Sequence, residues 1–174
     1  TFDAPIAARN FIFDTDWYTD IDDVLAARML TWGINQGRVN LLAAGLSVTL
    51  TDGACSLDVV LTNDGAPNTP IAVPLTPLSY AGSALYQTPV CDAGEGTLAP
   101  GVVYDDAVTV YRTALANANG RVEIITEGFL NNIMELMQSP ADGISPLTGT
   151  ELIAAKVSRI WVGGGQFPSG TEYN

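Results

Sequence analysis

Apolar and polar residues alternate along the chain in blocks that predict strands and helices in turn. Short, mainly apolar runs are typical of buried strands, and stretches with apolar residues every three or four positions are typical of helices. These patterns predict an open, mostly parallel, Rossmann-like α/β sheet with helices on both faces, because alternating strands and helices form right-handed crossovers. The predicted strands are residues 10–13, 41–46, 71–73, 122–125 and 157–162. The predicted helices lie near residues 54–62, 104–118 and 129–138, and another follows the first strand, where Ile21, Leu25, Met29 and Trp32 recur at helical spacing.

Residues 74–101 interrupt this alternation. The segment is rich in Pro, Gly and Ser and has no apolar periodicity, so we expect a long surface excursion there. Such loops often border binding sites. With 174 residues and 47% hydrophobic content, the chain has the size of one α/β domain that spans residues 1–174 and buries its own core.

The charge balance narrows the classes of partner. The chain carries 19 acidic and 7 basic residues, which give a formal net charge of −12. A field of this sign repels phosphate backbones and anionic lipid surfaces, so we expect neither nucleic acid nor membrane as a partner. No apolar run approaches the roughly eighteen residues of a membrane span. A small neutral or cationic ligand suits this charge better.

Two cysteines, Cys55 and Cys91, allow one disulfide bridge. We favour the bridge over two buried thiols, although two cysteines alone carry little information. The chain begins at Thr1 and contains a single lysine, Lys156, in a composition rich in Ala, Gly, Thr and Asp. We therefore expect a secreted or extracellular protein, with a cytoplasmic location as the alternative.

The main chemical signal is the acidic stretch DTDWYTDIDD at residues 14–23, which holds five aspartates and directly follows the first predicted strand. No Lys or Arg occurs between residues 10 and 27 to compensate the charge. Clustered carboxylates repel one another, so a hard divalent ion such as Ca²⁺ or Mg²⁺ is the expected partner. Helix capping accounts for acidic residues at the start of the following helix, but not for Asp14 and Asp16 upstream of it. An EF-hand is disfavoured because Leu25 takes its twelfth position, where Glu belongs.

Two other loops are expected at the same edge of the sheet as the acidic stretch. In open parallel sheets, ligands bind where loops leave the carboxyl ends of the strands. TEGFLNN at residues 126–132 follows one predicted strand, and VGGGQFPSGTEYN at 162–174 follows the last. Both bring polar side chains or bare glycine backbone to the edge where residues 14–23 are expected. The sequence therefore predicts one ligand site built from three loops.

These three segments together resemble the calcium-dependent, inosine-uridine preferring nucleoside hydrolases. DTDWYTDIDDVLA resembles the amino-terminal signature of that family, which is Asp-x-Asp, a short turn, Asp-Asp and then small apolar residues. EGFLNNI at residues 127–133 looks like the family's Gly-x-Leu-Thr-Asn-Ile segment. GGG followed by GTEYN resembles its glycine-rich turn leading to Glu-Phe-Asn. The resemblance implies a nucleoside hydrolase type of α/β fold and cleavage of the N-glycosidic bond of ribonucleosides to free base and ribose.

The resemblance also implies a role for each matching residue. Asp16 would ligate Ca²⁺ and act as general base on the calcium-bound water, and Asp23 would be the second carboxylate ligand. The main-chain carbonyl of Glu127 would face the metal. The alignment between Asp16 and Asp22 can slide, since the loop is longer than the shortest family form, and this leaves Asp14 and Asp20 without an assigned role. The residues that would hold the sugar are Asp22, Asn132, Glu172 and Asn174.

The chain also departs from the family. Family members continue well beyond Glu-Phe-Asn, where they supply a further Asp ligand and often a His that protonates the leaving base, whereas this chain contains no histidine. The family's Val-x-Gly-Asn segment corresponds to SVTLTDG at residues 47–53, with Thr or Asp in place of Asn. We therefore expect a product of proteolytic processing after Asn174, with the remaining half bound as a second polypeptide. The family resemblance further implies a homo-oligomer.

Two alternatives stay open. A haloacid dehalogenase-type phosphatase also begins with an apolar strand and Asp-x-Asp, which would make Asp14 the nucleophile and Asp16 the acid/base; Tyr18 and the late lysine, Lys156, fit that family poorly. The second alternative is a degenerate, inactive or weakly active secreted protein that binds a nucleoside or sugar. Loss of the His favours this alternative, and retention of Asp16, Asp22 and Asp23 speaks against it.

Overall fold

The computed structural model describes residues 7–79, 85–94, 104–166, 168–170 and Asn174. Its strands are β1 (Arg9–Thr15), β2 (Val39–Leu46), β3 (Ile71–Val73), β4 (Asp105–Asp106), β5 (Val122–Thr126) and β6 (Val157–Val162). Its helices are α1 (Asp22–Asn35), α2 (Gly53–Asn63), α3 (Gln87–Ala93), α4 (Ala107–Asn117), α5 (Asn131–Gln138) and α6 (Gly149–Lys156). No helix in these ranges combines the length and the apolar character needed to cross a bilayer.

The strands of the described ranges form one six-stranded sheet in the order β4-β3-β2-β1-β5-β6. Every neighbouring pair is parallel. The chain moves outward from β1 through β2 and β3 to β4 on one side, and through β5 to β6 on the other. The order therefore reverses between β1 and β5, and this switch point is where open α/β sheets bind ligands, at the carboxyl ends of the strands.

Helices cover both faces of the sheet, as alternating side chains of β1 illustrate. Phe11 and Phe13 belong to a buried cluster with residues of α1 and α2, whereas Ile12 belongs to a second cluster with residues of α4, α5 and α6. Successive strand residues point to opposite faces, so a strand buried on both sides is apolar throughout. This confirms the predicted α/β sheet with helices on both faces.

The predicted strands and helices are present, and the structure adds elements in regions without a clear pattern. The strand β4 and the helix α6 were not predicted, and α3 lies inside residues 74–101, which we expected to be a surface excursion throughout. This seven-residue helix is too short to show apolar periodicity, and only its Gln87 is buried. A disulfide between Cys55 of α2 and Cys91 of α3 (Cα–Cα 5.5 Å) joins it to α2. The favoured cysteine pairing is confirmed.

Helix α1 packs on the sheet through a face other than the apolar stripe from which it was predicted. Ile21 and Trp32, which helped to predict the helix, are 75% and 63% exposed. The buried side combines Leu30 with the smaller residues Ala27, Thr31 and Gly33. Gly33 is required there, since an added Cβ would come within 2.6 Å of Val39 Cγ2 on β2. The close packing of α1 on the sheet fixes the direction in which the acidic loop enters the helix.

Candidate functional site

The loops that follow β1, β2, β5 and β6 begin side by side, because backbone hydrogen bonds continue the parallel ladders past the strand ends. The Ser47 amide donates to the Thr15 carbonyl at 2.8 Å, and the Glu127 amide donates to the Asp14 carbonyl at 2.9 Å. The Gly163 amide donates to the Thr126 carbonyl at 2.8 Å. The three predicted site segments therefore start at one edge of the sheet, as expected.

Asp14, near the end of β1, is fully buried beneath this edge of the sheet. Its Oδ2 accepts hydrogen bonds from the Tyr111 hydroxyl at 2.5 Å and from Asn132 Nδ2 at 2.7 Å, while its Oδ1 is buried with no hydrogen-bond partner in the described ranges. Burial raises the pKa of Asp14 to about 7, and the two hydrogen bonds oppose this rise. A carboxylate enclosed in this way is poorly placed to attack a phosphate, which weakens the phosphatase alternative.

Asp16 and Asp23 form the inner pair of the acidic loop. Both are buried, and each carboxyl group affects the ionisation of the other. Burial raises the pKa of each, and the charges of neighbouring aspartates raise them further. Thr15 Oγ1 donates a hydrogen bond to Asp23, and the Tyr18 amide donates to Asp16 Oδ1 at 3.2 Å. A divalent cation between these carboxylates would compensate their negative charge.

Asp20 and Asp22 are exposed at the mouth of the loop. One carboxylate oxygen from each lies within 4.8 Å of one from Asp23. Asp23 thus belongs both to this trio and to the buried pair with Asp16. Asp20, which had no assigned role, is therefore a candidate cation ligand alongside the predicted Asp16 and Asp23.

The backbone of the acidic loop is held in an unusual conformation at Trp17, whose φ of 53° lies in the left-handed region. Such a conformation costs a bulky residue about 1–3 kcal/mol and persists where surrounding contacts impose it. Here Gln87 Nε2 donates to the carbonyls of Trp17 and Tyr18, at 2.6 and 2.8 Å. The Trp17 indole N–H donates to Ser56 Oγ at 2.9 Å. Trp17 is fully buried, so it packs in the core and does not form an open wall for a nucleobase.

The loop between β5 and α5 fits closely against the acidic loop. An added Cβ at Gly128 would lie 2.6 Å from the Asp16 amide nitrogen and would also collide with Ser47 Oγ. Ser47 Oγ accepts a hydrogen bond from the Phe129 amide at 3.2 Å, and the Ser47 carbonyl accepts one from Asn131 Nδ2 at 2.9 Å. Glycine at position 128 thus permits the close approach of this loop to the Asp16 backbone.

The remaining predicted residues differ in how accessible they are. Asn132 is fully buried, and its Nδ2 also donates to the Leu46 carbonyl at 2.7 Å, so only its Oδ1 lacks a partner in the described ranges. Asn174 Nδ2 donates to the Glu127 carbonyl at 3.1 Å, which joins two predicted residues directly. Burial raises the pKa of the Glu127 side chain, and the charge of Asp22 adds to this. Glu172 lies outside the described residues.

The oxygen atoms at this edge of the sheet suit a hard cation. Buried oxygens of Asp14, Thr126, Asn131 and Asn132 lack a hydrogen-bond partner among the described residues, although buried polar atoms are nearly always paired. None of the ion pairs found in those ranges involves an aspartate of the acidic loop. Carboxylate, amide and carbonyl oxygens are the ligands that Ca²⁺ and Mg²⁺ prefer. The site can therefore hold a divalent cation through Asp23 with Asp16 or with Asp20 and Asp22.

Several residues at the site were not foreseen from the sequence. Tyr111 reaches Asp14 from α4, and Tyr86 and Gln87 reach the acidic loop from the start of α3. The cysteine pair was the only sequence signal that residues near 91 approach α2. A separate cavity of about 470 Å³ lies at the amino ends of the strands, beside Asn10, Asn40 and the outer side of α4, and takes no part in this site.

Comparisons with known proteins identify the fold. No family model and no curated protein sequence matches the chain. It is similar to an inosine-uridine preferring nucleoside hydrolase from Bacillus anthracis, with a TM-score of 0.69 and 15% identity over 93% of this chain and 52% of that one. It is similar to the type III effector protein XopQ complexed with adenosine diphosphate ribose, with a TM-score of 0.75 and 16% identity over 96% and 47% of the two chains.

The effector protein XOO4466 gives a third match, with a TM-score of 0.71 and 18% identity over 97% of this chain and 47% of that one. The chain thus spans about half the length of the solved structures that it matches. Likeness at these identities concerns the backbone and not the chemistry. The chain has a nucleoside hydrolase-like α/β fold.

Proposed function

We propose that the chain carries the cation and sugar sites of a nucleoside hydrolase that cleaves the N-glycosidic bond of ribonucleosides to free base and ribose, with Ca²⁺ as cofactor. One observation carries the proposal. Two buried aspartates, Asp16 and Asp23, lie with the exposed Asp20 and Asp22 at the switch point of a nucleoside hydrolase-like sheet. Two of the three solved structures described above are named for nucleosides or a ribose-containing ligand.

Each residue has a defined task in this proposal. Asp16 and Asp23 hold the cation together with the Glu127 carbonyl, which can accept from Asn174 and still present its second lone pair. The cation, when bound, lowers the pKa of water at this edge and orients it. Asp16 accepts the proton of the attacking water. Exposed Asp22 accepts hydrogen bonds from ribose hydroxyls, and Asn132, Glu172 and Asn174 complete the sugar contacts.

The negative charge of the loop suits the chemistry. Glycosidic cleavage passes through a sugar with oxocarbenium character, and nearby carboxylates stabilise that positive charge. The Asn132 amide N–H groups donate to Asp14 and the Leu46 carbonyl, so its Oδ1, which has no partner among the described residues, is the atom that can accept from a sugar hydroxyl. Asn132 thus contacts the substrate as an acceptor while it holds Asp14 in place.

The test is release of free base from inosine and from uridine in the presence of Ca²⁺. We expect turnover that a chelator abolishes and that added Ca²⁺ restores. Asp16→Asn should lower the rate at least about 100-fold, the usual range for a general base, while nucleoside binding persists. Asp105→Asn is the matched control, since Asp105 is exposed at the start of β4, beside the cavity at the amino ends of the strands and away from the acidic loop. Turnover unaffected by Asp16→Asn would contradict the assignment.

The proposal includes a second polypeptide and a homo-oligomer. The chain covers about half of each matching structure, and β6 pairs only with β5 among the described strands. Trp161 and Val162 of β6 are large apolar side chains exposed at that edge, where unpaired backbone groups favour addition of another strand. Native mass spectrometry of the purified protein should find a second polypeptide or a second copy of this chain.

The disulfide between Cys55 and Cys91 supports a secreted location for the protein, because disulfides persist in oxidising compartments.

Binding of a ribose-containing ligand without turnover is the second candidate. It is favoured by the XopQ structure, which is named for its complex with adenosine diphosphate ribose, and by the absence of histidine from this chain. This candidate is supported if calorimetry detects binding of a nucleoside or of adenosine diphosphate ribose while the activity assay detects no release of free base.

A further inference from the structure

The Tyr86 hydroxyl is a buried polar group at the acidic loop that the proposed function does not use. It has almost no solvent contact and no hydrogen-bond partner among the described residues. Leaving such a group unpaired costs about 1–3 kcal/mol. Burial raises its pKa above the usual value, and the negative charges of Asp23 and Asp16 raise it further. The phenol therefore keeps its proton and can act as a donor.

The surroundings of Tyr86 fix its ring against the acidic loop. The ring packs edge-on against Trp17, with centroids 6.1 Å apart and planes at 67°. The next residue, Gln87, is fully buried and donates to the backbone of Trp17 and Tyr18. The disulfide to Cys55 holds the far end of the same short helix. A donor fixed in this way requires little ordering when a ligand arrives.

Resting on the proposed function, we propose that Tyr86 is a substrate-contacting residue whose hydroxyl donates a hydrogen bond to an acceptor atom of the bound nucleoside. A buried hydroxyl normally has a hydrogen-bond partner, whereas this one has none among the described residues. Because its ring packs on Trp17 of the acidic loop, its proton is available to a ligand bound at that loop. A nucleoside offers acceptors of two kinds, the oxygens of the ribose and the ring nitrogen or carbonyl oxygen of the base.

Tyr86→Phe removes the hydroxyl and keeps the ring that packs on Trp17. Tyr104→Phe is the matched control, because Tyr104 is also partly buried and its pKa is raised by burial and by Asp58, away from the acidic loop. Both variants are compared with the unaltered full chain for the nucleoside Kd, kcat/KM, the Ca²⁺ Kd and the Tm. We expect Tyr86→Phe to weaken nucleoside binding and kcat/KM about 10-fold, the effect of one hydrogen bond. Its Ca²⁺ Kd should stay within about twofold, with no fall in Tm, since an unpaired hydroxyl is lost.

Two substrates separate the two kinds of acceptor. If the hydroxyl contacts the base, the effect of Tyr86→Phe seen with inosine disappears with 4-nitrophenyl riboside, which has no nucleobase. If it contacts the sugar, both substrates lose equally. The inference is overturned if Tyr86→Phe matches Tyr104→Phe in nucleoside binding, or if the Ca²⁺ affinity falls with it. If the unaltered chain neither binds nor hydrolyses a nucleoside, the proposed function and this inference fail together.

Discussion

Asn132 Nδ2 lies 2.7 Å from Oδ2 of Asp14, across a sequence separation of 118 residues. The same nitrogen donates to the Leu46 carbonyl at 2.7 Å, so one carboxamide joins the start of α5 to the ends of β1 and β2. These contacts sit beneath the acidic loop at the point where the strand order reverses. The geometry of the candidate site is therefore built into the centre of the fold.

Replacing this carboxamide should destabilise the protein. Asn132→Ala leaves Asp14 Oδ2 with one donor fewer and removes the donor to the Leu46 carbonyl, so we expect the free energy of unfolding to fall by about 2 kcal/mol or more. Asn117→Ala, at an exposed position near the end of α4, is the control and should change it by less than about 0.5 kcal/mol. Urea unfolding followed by fluorescence measures both. Equal stability of the two variants would contradict the structural role of Asn132.

The close approach at Gly128 predicts a specific steric effect. In Gly128→Ala the methyl group would meet the Asp16 amide and Ser47 Oγ, so the acidic loop must shift. We expect a loss of about 1–3 kcal/mol, as for overpacked sites, together with weaker Ca²⁺ binding. Gly143→Ala is the control, because an added Cβ there meets no atom within 4 Å. The two variants should differ both in thermal unfolding and in a calcium titration.

The buried acids predict an unusual dependence of stability on pH in the absence of metal. Burial raises the pKa of Asp14 to about 7, and those of Asp16 and Asp23 are raised as well, from a value of 3.8. Between about pH 4 and 7 the folded protein then binds more protons than the unfolded chain, so the stabilisation present at low pH is lost as the pH rises through the folded values. Glu123 and Asp142 have lowered pKa values and act in the opposite sense, but near and below pH 4.5.

The corresponding measurement is the Tm in chelator between pH 5 and pH 8. We expect the Tm to fall by several degrees, about 2–4 °C for each kcal/mol lost. Saturating Ca²⁺ should abolish the fall, since a cation replaces the protons. A Tm in chelator that rises over this interval would show that these carboxylates are not buried as described.

The disulfide should contribute to stability through the helix that it secures. A bridge across a sequence separation of 36 residues stabilises by up to about 4 kcal/mol in the chain-entropy model. Replacing both Cys55 and Cys91 by Ser should lower the midpoint of urea unfolding accordingly. The same variant should bind nucleoside more weakly, because α3 carries Tyr86 and Gln87 beside the acidic loop. Alkylation of the unaltered chain without reductant should label neither cysteine.

The sequence was sufficient for the sheet and the acidic edge. Apolar runs such as residues 10–13 predict buried strands, and the fixed hand of their crossovers brings their carboxyl ends together. It was not sufficient for contacts between distant segments. The hydrogen bond from Tyr111 to Asp14 spans 97 residues, and no pattern in the local sequence predicts it.

Helix α1 shows a second kind of limit. Its apolar stripe, which includes Leu25 and Met29, predicts a helix correctly but is exposed in the structure. The helix packs through Leu30 and smaller residues such as Ala27 instead, and a glycine at position 33 lets it lie close to Val39. Periodicity reveals that a helix exists, whereas the size of its side chains decides which face can approach the sheet.

A calorimetric titration of the metal-free full chain with Ca²⁺ measures whether the acidic loop binds a divalent cation. We expect saturable binding of one ion that is lost in Asp23→Asn, because Asp23 belongs both to the pair with Asp16 and to the trio with Asp20 and Asp22, and that is unchanged in Asp105→Asn. No binding by the unaltered chain, or equal binding by Asp23→Asn, would show that the loop does not hold a cation through Asp23.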